Sequence, residues 1–524
     1  MPHLQATTSP KSAGSAPAAE ASEYRASGSG WWLLPPLLTH LLIQLAHAFL
    51  DRAPDFDESI YMDLGRSVVR TGRLITSNYP PKLFLIHPPL FYYMVSLSFS
   101  IFGPGLESGR LVSILMGIGC LGLVFFVLRR QRDARWACAA TLLLAVNPAF
   151  LYYGHSIYME MTVAFLLTSS LWAYTRAVEK DDAGGYVLAG AFLGLACVTK
   201  YYAAVMVIAM ALLVLLDARG DARRRVKRLV ALLLPVAAAG VAWIAWGLLS
   251  GGQSFIDAQI SWKEPDMSGA IYSWRHATNL LFLREIVGVM TPVFAVLALV
   301  GMVTAARRLF HVREDHSRAL DRLLLIFPPA FFLFLLSFRE KDVKYIVPML
   351  PALAILIGLA MRRDAASRIP TWSFWTGALL LASLASPIMP LFDPVTGQTH
   401  DNLWVFCLHR DAEYRRYRDA GVLAGRQSAP GEVVACQRKG PIIGYFADRS
   451  YIDFWGFTPE RAQPYLDQAQ VVVLDRNTEY LAPAEEERFR RFVEADFHRI
   501  GTIPATGEPV LEIFRRNDAG GVTP

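Results

Sequence analysis

Charged side chains are scarce in this chain of 524 residues, where only 18% of the residues are Asp, Glu, Lys or Arg. A soluble globular protein carries about 25% of these residues. Hydrophobic residues make up 53% of the chain, and the mean hydropathy is +0.32. This composition excludes an ordinary soluble enzyme and indicates an integral membrane protein.

The chain also lacks the features of a nucleic-acid-binding protein. Its net charge is +6 and its pI is about 9.0, but the basic residues lie in short runs between apolar segments, and no nucleic-acid-binding motif is present. Basic runs of this kind mark the cytoplasmic ends of membrane helices. The positive charge therefore indicates orientation, and we expect no nucleic-acid partner.

The chain has few cysteines, and its C-terminal region has neither of two common nucleotide-binding motifs. Five cysteines without a CxxC pair are too few for a disulfide framework. Cys407 and Cys436 lie in the polar C-terminal region, where they either pair or remain two buried free thiols. Neither GxGxxG nor GxxxxGKS/T occurs in that region. Three further cysteines lie in apolar stretches, and we expect them to be small residues of the hydrophobic core. They are Cys120, Cys138 and Cys197.

Apolar segments, in contrast, are abundant. Residues 1–30 are rich in Ala, Ser, Gly and Pro and are predicted to be a disordered cytoplasmic N-terminus. Segment 31–50 has about the 20 residues of an uncleaved spanning helix. We therefore predict an α-helical polytopic membrane protein with about 11 to 13 transmembrane helices. The further apolar segments are 91–103, 109–128, 136–153, 157–178, 186–199, 201–216, 229–249, 285–305, 322–338, 344–361 and 372–391.

Basic clusters predict which loops are cytoplasmic. The strongest cluster runs from Arg223 to Arg228, and others follow the segments that end near residues 128, 305 and 361. Segment 91–103 is expected to be only partly inserted, because about 13 residues are too short for a span. Counting helices from the strongest cluster places these parts on the extracytoplasmic side: 153–160, 250–284, 339–343 and everything after 391. Loop 51–89 joins them if residues 1–30 are cytoplasmic.

From about residue 392 the composition changes to that of a small α/β domain, because charge rises and apolar runs shorten to strand length. We expect a transmembrane domain over 31–391 and an extracytoplasmic α/β domain over 392–524. The predicted strands are Glu432–Cys436, Val471–Asp475, His498–Ile503 and Val510–Phe514. The predicted helices are Pro441–Ala447, Thr458–Gln468 and Ala484–Ala495.

The loop from Asp51 to Pro89 is a polar insertion between apolar segments, and a polar excursion of this size indicates a function. Asp57 and Glu58 are adjacent carboxylates shortly after the first helix. Asp57 is predicted to cap a helix over Glu58–Arg70. A helix N-terminus also stabilises the negative charge that a general base needs. Cap and catalyst are compatible roles, and the pattern leaves both open.

The order of several motifs in the chain resembles that of a known family, the polytopic GT-C glycosyltransferases related to protein O-mannosyltransferases and lipid A aminoarabinose transferases. The resemblance covers roughly residues 51–360 and rests on the order of the motifs. These motifs are DFDESIY from Asp55, HPPL from His87, SGRLVSIL from Ser108, NPAFLYYGHSIYME from Asn147, GLACVTK from Gly194 and KYIVPMLPALAILIG from Lys344.

The resemblance implies transfer of a sugar from a polyprenyl phosphate to an acceptor hydroxyl, with inversion, at the extracytoplasmic surface. Asp57 takes the position of the general base, and Glu58 that of a supporting acid. Glu160 stands where relatives usually have Asp, a position that organises the site or binds a metal. His155 is either a second ligand of a divalent metal ion or a hydrogen-bonded residue at a helix end.

Departure of a lipid phosphate requires cations at the same face of the membrane. Two or three of them on the phosphate would make a metal cofactor unnecessary. The alternative is that Arg339 and Lys341 only reach lipid head groups. Lys200 must reach an interface, the substrate phosphate or a partner acid such as Glu160. The candidates for phosphate binding are Lys82, His87, Arg339, Lys341, Lys344 and Lys200.

We therefore predict a glycosyltransferase of the cell membrane whose partners are a polyprenyl-phosphate sugar, membrane lipids and a lipid, glycan or protein acceptor. Cell-envelope modification and protein glycosylation are the processes that fit. A transporter or flippase is the alternative, but it would place ionisable residues near the midplane of the bilayer and show two related halves. A polymer ligase is a third candidate. Aromatic and acidic side chains of loop 250–284 either bind a sugar or form an interfacial belt.

Overall fold

The chain folds into a helical membrane part followed by an α/β unit. A computed structural model describes residues 29–49, 53–131, 133–217, 221–261, 291–311, 318–337, 343–361, 377, 391–392, 399–400, 403–454, 457–476, 483–505 and 508–517. The helices of the membrane part are α1 Leu34–Phe49, α2 Phe56–Thr71, α3 Leu90–Phe102, α4 Leu106–Gln131, α5 Ala134–Ala145, α6 Pro148–Gly154, α7 Met159–Lys180, α8 Ala183–Cys197, α9 Ala204–Leu215, α10 Ala222–Gly251, α11 Gln253–Ser261, α12 Pro292–His311, α13 Arg318–Leu336 and α14 Leu350–Ala360.

The polytopic helical fold is confirmed, whereas the number of transmembrane helices stays a prediction. Among the described residues, α4, α10 and most of α13 are long and apolar enough to cross a bilayer, and the bent pair of α5 and α6 makes a fourth. Helix α3 has 13 residues, or about 20 Å, which is shorter than a hydrocarbon core. Several predicted segments are thus short helices inside the bundle, and most of 372–391 lies outside the described residues.

The predicted segment 136–153 is wrong as a single helix, because α5 and α6 meet at an angle of 67°. Pro148 is the first residue of α6, and the Asn147 side chain accepts the Phe150 amide at 3.1 Å. Proline is favoured at a first helical position, where its missing N–H costs no hydrogen bond. The Asn-Pro pair therefore starts a new helix at this point.

Helix α2 begins two residues earlier than the sequence pattern predicted. Its N-cap is Asp55, and the Glu58 carboxylate accepts the Asp55 amide at 2.9 Å. Gly72 ends the helix with a φ of 70°, a left-handed conformation that glycine adopts readily. The prediction of Asp57 as the cap is therefore wrong, and Asp57 lies within the first turn of α2.

The described membrane part has a polar end with the loop 72–89 and an opposite end with basic clusters. Helix α4 runs from the polar end to the basic end. Arg110 near its start contacts Glu58, and Arg130 near its end donates a hydrogen bond of 2.7 Å to Glu179. Its 26 residues span about 39 Å. At the basic end, Arg228 pairs with Asp181 and Asp217.

The C-terminal part is an α/β unit around a five-stranded sheet with the order β6-β5-β7-β9-β8. Strands β5, β6 and β7 are parallel, whereas β9 is antiparallel to β7 and β8. Cys436 is a buried free thiol in β5, and the Cys407 side chain lies outside the described residues. The strands of this sheet are β5 Val433–Cys436, β6 Ser450–Asp453, β7 Val471–Asp475, β8 Phe497–Ala505 and β9 Glu508–Arg516. Two short antiparallel pairs precede them in the chain: β1 Ile75–Thr76 with β2 Lys82–Leu83, and β3 Leu391–Phe392 with β4 Thr399–His400.

Helices cover both faces of this sheet. One face carries α15 (Leu403–Arg426) and α16 (Gly440–Ala447), and the other carries α17 (Pro459–Leu466) and α18 (Pro483–Asp496). Four of the five strands (β5, β7, β8 and β9) and helices α16 to α18 lie where the sequence pattern placed them, whereas β6 was not predicted. Helix α15 was not predicted, because its many charged residues conceal an apolar stripe. That stripe is Tyr414, Tyr417, Ala420 and Ala424.

The α/β unit docks on α2 and the loop that follows it. Arg66 donates to the Tyr445 carbonyl oxygen at 2.9 Å, and its guanidinium lies 3.0 Å from the Asp448 carboxylate. The Tyr451 backbone exchanges hydrogen bonds with Ser77 and Tyr79, at 2.9 and 2.7 Å. The first polar loop and the C-terminal unit therefore lie at the same end of the molecule.

Candidate active site

Asp57 is an accessible carboxylate held by a lysine that is distant in the sequence. Its Oδ2 atom accepts a hydrogen bond of 2.8 Å from Lys344 Nζ, which is carried by the 3₁₀ helix Val343–Met349. The Asp57 side chain is 28% exposed and the Lys344 side chain 13%. Asp57 therefore combines a fixed position with access to a substrate.

Glu160 and Lys200 form a second ion pair, as the sequence suggested. Glu160 lies in the first turn of α7 and is fully buried, and its Oε1 atom accepts a hydrogen bond from Lys200 Nζ. The other oxygen, Oε2, has no hydrogen-bond partner among the described residues. A buried carboxylate oxygen without a donor is costly, so Oε2 is an acceptor that the described side chains leave unused.

The two ion pairs belong to one site. The Tyr345 ring centroid lies 4.9 Å from Lys200 Nζ and 5.5 Å from Lys344 Nζ. Burial raises the pKa of Tyr61 well above its usual value, and the negative charges of Asp57 and Glu160 raise it further. Tyr61 therefore stays a neutral hydroxyl, and the site holds two acids and two ammonium groups.

Glu58 is buried and acts as an anchor. Its side chain is fully buried, and its carboxylate accepts the Asp55 amide at 2.9 Å and the Ile157 amide at 2.8 Å. The buried Arg110 guanidinium lies 3.4 Å from the same carboxylate. These contacts fix the N-terminus of α2 against α4 and the start of α7. Of the adjacent acids, Asp57 is the one within reach of a substrate.

Asp55 is a further acid near the site that the sequence reasoning missed. Its Oδ2 atom accepts hydrogen bonds from the hydroxyls of Tyr158 at 3.0 Å and Tyr152 at 3.4 Å. The signal that predicts its place is the capping-box spacing of Asp55 and Glu58, an N-cap acid followed three residues later by glutamate. Asp55 thus joins α2 to the segment that leads into α7.

His87 is neutral near pH 7, whereas the sequence analysis counted it among the cations. Burial, together with the positive charges of Lys200 and Lys344, lowers its pKa from 6.5 to about 3. A neutral imidazole still offers one N–H donor. His87 can therefore bind a phosphate oxygen by a hydrogen bond, but it supplies no charge near neutral pH.

The neutral state of His87 predicts a loss of stability in acid. The unfolded chain takes up a proton at this histidine below about pH 6.5, whereas the folded chain does not, so the folded state loses stability as the pH falls. At about pH 5 the loss is about 1 to 2 kcal/mol. The thermal midpoint of unfolding is measured in a non-ionic detergent at about pH 7.5 and at about pH 5. It should fall less between these pH values in His87→Gln than in wild type. Equal falls would show that folded His87 binds its proton normally.

Other predicted site residues lie apart from the two ion pairs. Lys82 is exposed on β2, and His155 is buried at the C-terminal end of α6. No hydrogen bond or ion pair links the Lys82 side chain to Asp57 or Glu160 within the described residues. Arg339, Lys341 and the aromatic residues Trp262, Tyr272 and Trp274 lie outside those residues.

The described residues do not fit a divalent metal site. No group of three or more His, Cys, Asp or Glu side chains that could hold a metal ion is found in this part of the chain. Asp57 and Glu160 each have a lysine ammonium as partner, and these positive charges oppose a second cation beside the carboxylates. The predicted metal-binding role of His155 and Glu160 therefore has no support from the geometry.

A groove borders the loop 72–89. Leucines contribute to its walls, but most of its exposed lining surface is polar. Trp246 Nε1 donates to the Tyr93 hydroxyl at 3.1 Å, and exposed Arg73 is among the lining residues. Gln259, which does not line the groove, holds the loop in place, because its side chain donates a hydrogen bond of 2.6 Å to the Leu85 carbonyl oxygen. The leucines of the groove are Leu74, Leu83, Leu85 and Leu249.

Sequence comparison relates the chain to sugar transferases that use lipid phosphates. The family described as dolichyl-phosphate-mannose-protein mannosyltransferase matches residues 86–246. An undecaprenyl phosphate-alpha-4-amino-4-deoxy-L-arabinose arabinosyl transferase of Pseudomonas aeruginosa is 27% identical over 316 residues, which are 58% of this chain and 55% of the relative. An uncharacterised protein of Aquifex aeolicus is 23% identical over 63% of this chain and 64% of its own length. The chain thus spans less than two thirds of the length of these relatives.

Comparison with solved structures shows the fold. The crystal structure of ArnT from Cupriavidus metallidurans bound to undecaprenyl phosphate has a TM-score of 0.62 at 15% identity, covering 92% of this chain and 98% of that one. The Archaeoglobus fulgidus oligosaccharyltransferase, in complex with Zn and sulfate, has a TM-score of 0.52 at 15% identity and covers 91% and 72%. The chain is therefore a polytopic membrane protein of the GT-C fold, related to the protein mannosyltransferases and the aminoarabinose transferases.

Proposed function

We propose that this protein is an inverting glycosyltransferase that moves a sugar from a polyprenyl phosphate to a hydroxyl group of a lipid, glycan or protein at the extracytoplasmic face of the cell membrane. The observation that carries the proposal is the grouping of one accessible carboxylate, Asp57, with the ammonium groups of Lys344 and Lys200 at the polar end of the helical bundle. A base and two cations are what this transfer requires.

Asp57 is the general base. Its carboxylate takes the proton of the acceptor hydroxyl while the acceptor oxygen bonds to the anomeric carbon of the sugar. The bond from that carbon to the phosphate oxygen breaks on the opposite side, and the polyprenyl phosphate leaves with the electron pair. One displacement of this kind inverts the anomeric centre. Oδ1 of Asp57 has no partner among the described residues, which leaves it to receive the proton.

The leaving phosphate gains negative charge, which Lys344 and Lys200 stabilise. Each ammonium has three N–H donors, so Lys344 can bond a phosphate oxygen without releasing Asp57. His87 adds a neutral donor. The uncompensated Oε2 atom of Glu160 offers an acceptor for a hydroxyl or amino group of the sugar.

The charge distribution supports an extracytoplasmic site. The basic clusters represented by Arg130 and Arg228 lie at the end of the bundle opposite Asp57. Basic residues accumulate on the cytoplasmic side of membrane proteins. The site then faces the other compartment, where nucleotide sugars are absent and a lipid must carry the sugar.

Transfer from a panel of donors tests this proposal. Purified protein in lipid nanodiscs should move radiolabelled sugar from at least one polyprenyl-phosphate sugar to a membrane extract, and none from the matching nucleotide sugars. The anomeric configuration of the product should be opposite to that of the donor. Movement of the intact lipid-linked sugar across sealed vesicles, without a new glycosidic bond, would instead establish the flippase alternative.

A further inference from the structure

Helix α2, which carries Asp57, lies beside helix α16 of the α/β unit. Lys439 precedes α16, and its Nζ atom lies 5.6 Å from the centroid of the Phe56 ring at the start of α2. Near the other end of α16, the Tyr445 carbonyl oxygen accepts a hydrogen bond of 2.9 Å from Arg66. Helix α16 therefore runs alongside α2 in the same direction and contacts it over about three turns.

Arg66 is buried at this contact and joins α2 to the α/β unit. Its Nη1 atom donates to the Tyr445 carbonyl oxygen and lies 3.0 Å from the Asp448 carboxylate. Its Nη2 atom donates to Asp63 Oδ1 at 3.1 Å, and its guanidinium lies 4.2 Å from the centroid of the Tyr445 ring. The planar fork of an arginine makes these contacts together, which the single ammonium of a lysine does not.

Asp63 extends the link from Arg66 to the loop 72–89. Its buried carboxylate accepts the Ser77 hydroxyl at 2.7 Å and the Ser77 amide at 2.8 Å. The Ser77 carbonyl oxygen in turn accepts the Tyr451 amide at 2.9 Å, which binds the loop to β6, an edge strand of the sheet. One buried pair of opposite charges therefore connects α2, the first polar loop and the α/β unit.

The membrane part holds α2 from another side. A Cβ atom added at Gly65 would lie 2.7 Å from Val95 Cγ1 and 3.3 Å from the Phe99 ring, so the backbone of α2 approaches α3 as closely as a glycine permits. Glu58 anchors the start of α2 through the Ile157 amide. Helix α2 is therefore held between the membrane part and the α/β unit, and its orientation depends on both.

We infer that Arg66 is a positioning residue for the transfer, through which the α/β unit holds Asp57 in the geometry that the reaction requires. This inference rests on the proposed function. Arg66 lies about 14 Å from Asp57 along the helix axis, so it acts through α2 and not by contact with a substrate. Misplacement of a catalytic group by about 1 Å can slow a reaction about 100-fold, and a small tilt of α2 produces such a shift.

Steady-state kinetics of the full-length protein test the role of Arg66. Arg66→Gln should lower kcat at least about tenfold, while the KM values of donor and acceptor stay within about twofold, since no substrate contact is lost. Arg70→Gln is the matched control, because Arg70 follows on the same helix and pairs with the same Asp448 at 2.7 Å, but its side chain is 56% exposed. The control should keep kcat within about twofold. An unchanged kcat in Arg66→Gln would overturn the inference.

A double variant separates positioning from stability. Arg66→Gln leaves the buried Asp63 carboxylate without its cation, which destabilises the protein. Asp63→Asn combined with Arg66→Gln removes both charges and should raise the thermal midpoint above that of Arg66→Gln. Its kcat should nevertheless stay at least about tenfold below that of wild type, because the bridge to α16 is still absent. A kcat that returns together with the stability would overturn the positioning role.

Hydrogen–deuterium exchange tests the same link without requiring any transfer. In Arg66→Gln, the backbone amides of residues 59–63 in α2 should exchange severalfold faster than in wild type, and in Arg70→Gln they should not. Faster exchange confined to residues 440–453 would show that Arg66 only anchors the α/β unit, which would overturn the inference. Faster exchange in α2, in a protein whose wild type transfers no sugar, would support the link while showing that the proposed function is wrong.

Discussion

Replacing Asp57 by asparagine should lower sugar transfer by about 100-fold or more, because general-base catalysis contributes about two to four orders of magnitude. Asparagine has nearly the shape of aspartate but does not accept the acceptor proton. The measurement is the transfer of radiolabelled sugar by membranes with matched protein levels. Donor binding should persist, since Lys200 and Lys344 remain.

Stability separates this effect from a folding defect. Asp57 is partly exposed, and loss of its ion pair with Lys344 should cost about 1 kcal/mol or less. Glu58→Gln is the matched control, because it changes the adjacent acid, which is buried and anchors Arg110 and two backbone amides. This control should lower the thermal midpoint clearly, while Asp57→Asn should leave it near that of wild type. An Asp57→Asn protein as active as wild type would exclude Asp57 as the base.

The sequence was most informative where the chemistry was local. The acids at Asp57 and Glu58 and four of the five strands of the α/β unit follow from residue type and spacing. The different roles of the two acids do not, because the accessibility of Asp57 and the burial of Glu58 depend on helices that pack from elsewhere in the chain. The partner of Asp57, Lys344, is 287 positions away, and no periodicity connects them.

The charge of His87 shows the same limit. A histidine in a polar loop is a reasonable phosphate-binding cation, but burial and the charges of Lys200 and Lys344 keep His87 neutral. Those lysines come from different segments of the chain. In contrast, the pairing of Lys200 with Glu160 was foreseeable, since an amine between two apolar segments requires an acid or an interface. Burial and long-range proximity therefore decided what the motifs alone left open.

Breaking the ion pair between Glu160 and Lys200 should cause the largest loss of stability. Lys200→Met removes the ammonium and leaves a fully buried carboxylate without its partner, which costs about 3 to 5 kcal/mol. The double variant Glu160→Gln with Lys200→Met removes both charges and should regain most of this loss. The thermal midpoints of the wild type, both single variants and the double variant form the cycle that measures the coupling.

Activity in the same cycle shows what the pair does for transfer. If Lys200 stabilises the leaving phosphate and Glu160 accepts a bond from the sugar, the double variant should remain at least about tenfold less active than wild type even though its stability has recovered. If the pair only holds α7 and α8 together, activity should return with stability. A double variant that regains stability but not activity therefore indicates a catalytic ion pair. A double variant that regains both stability and activity would exclude Lys200 and Glu160 from the mechanism.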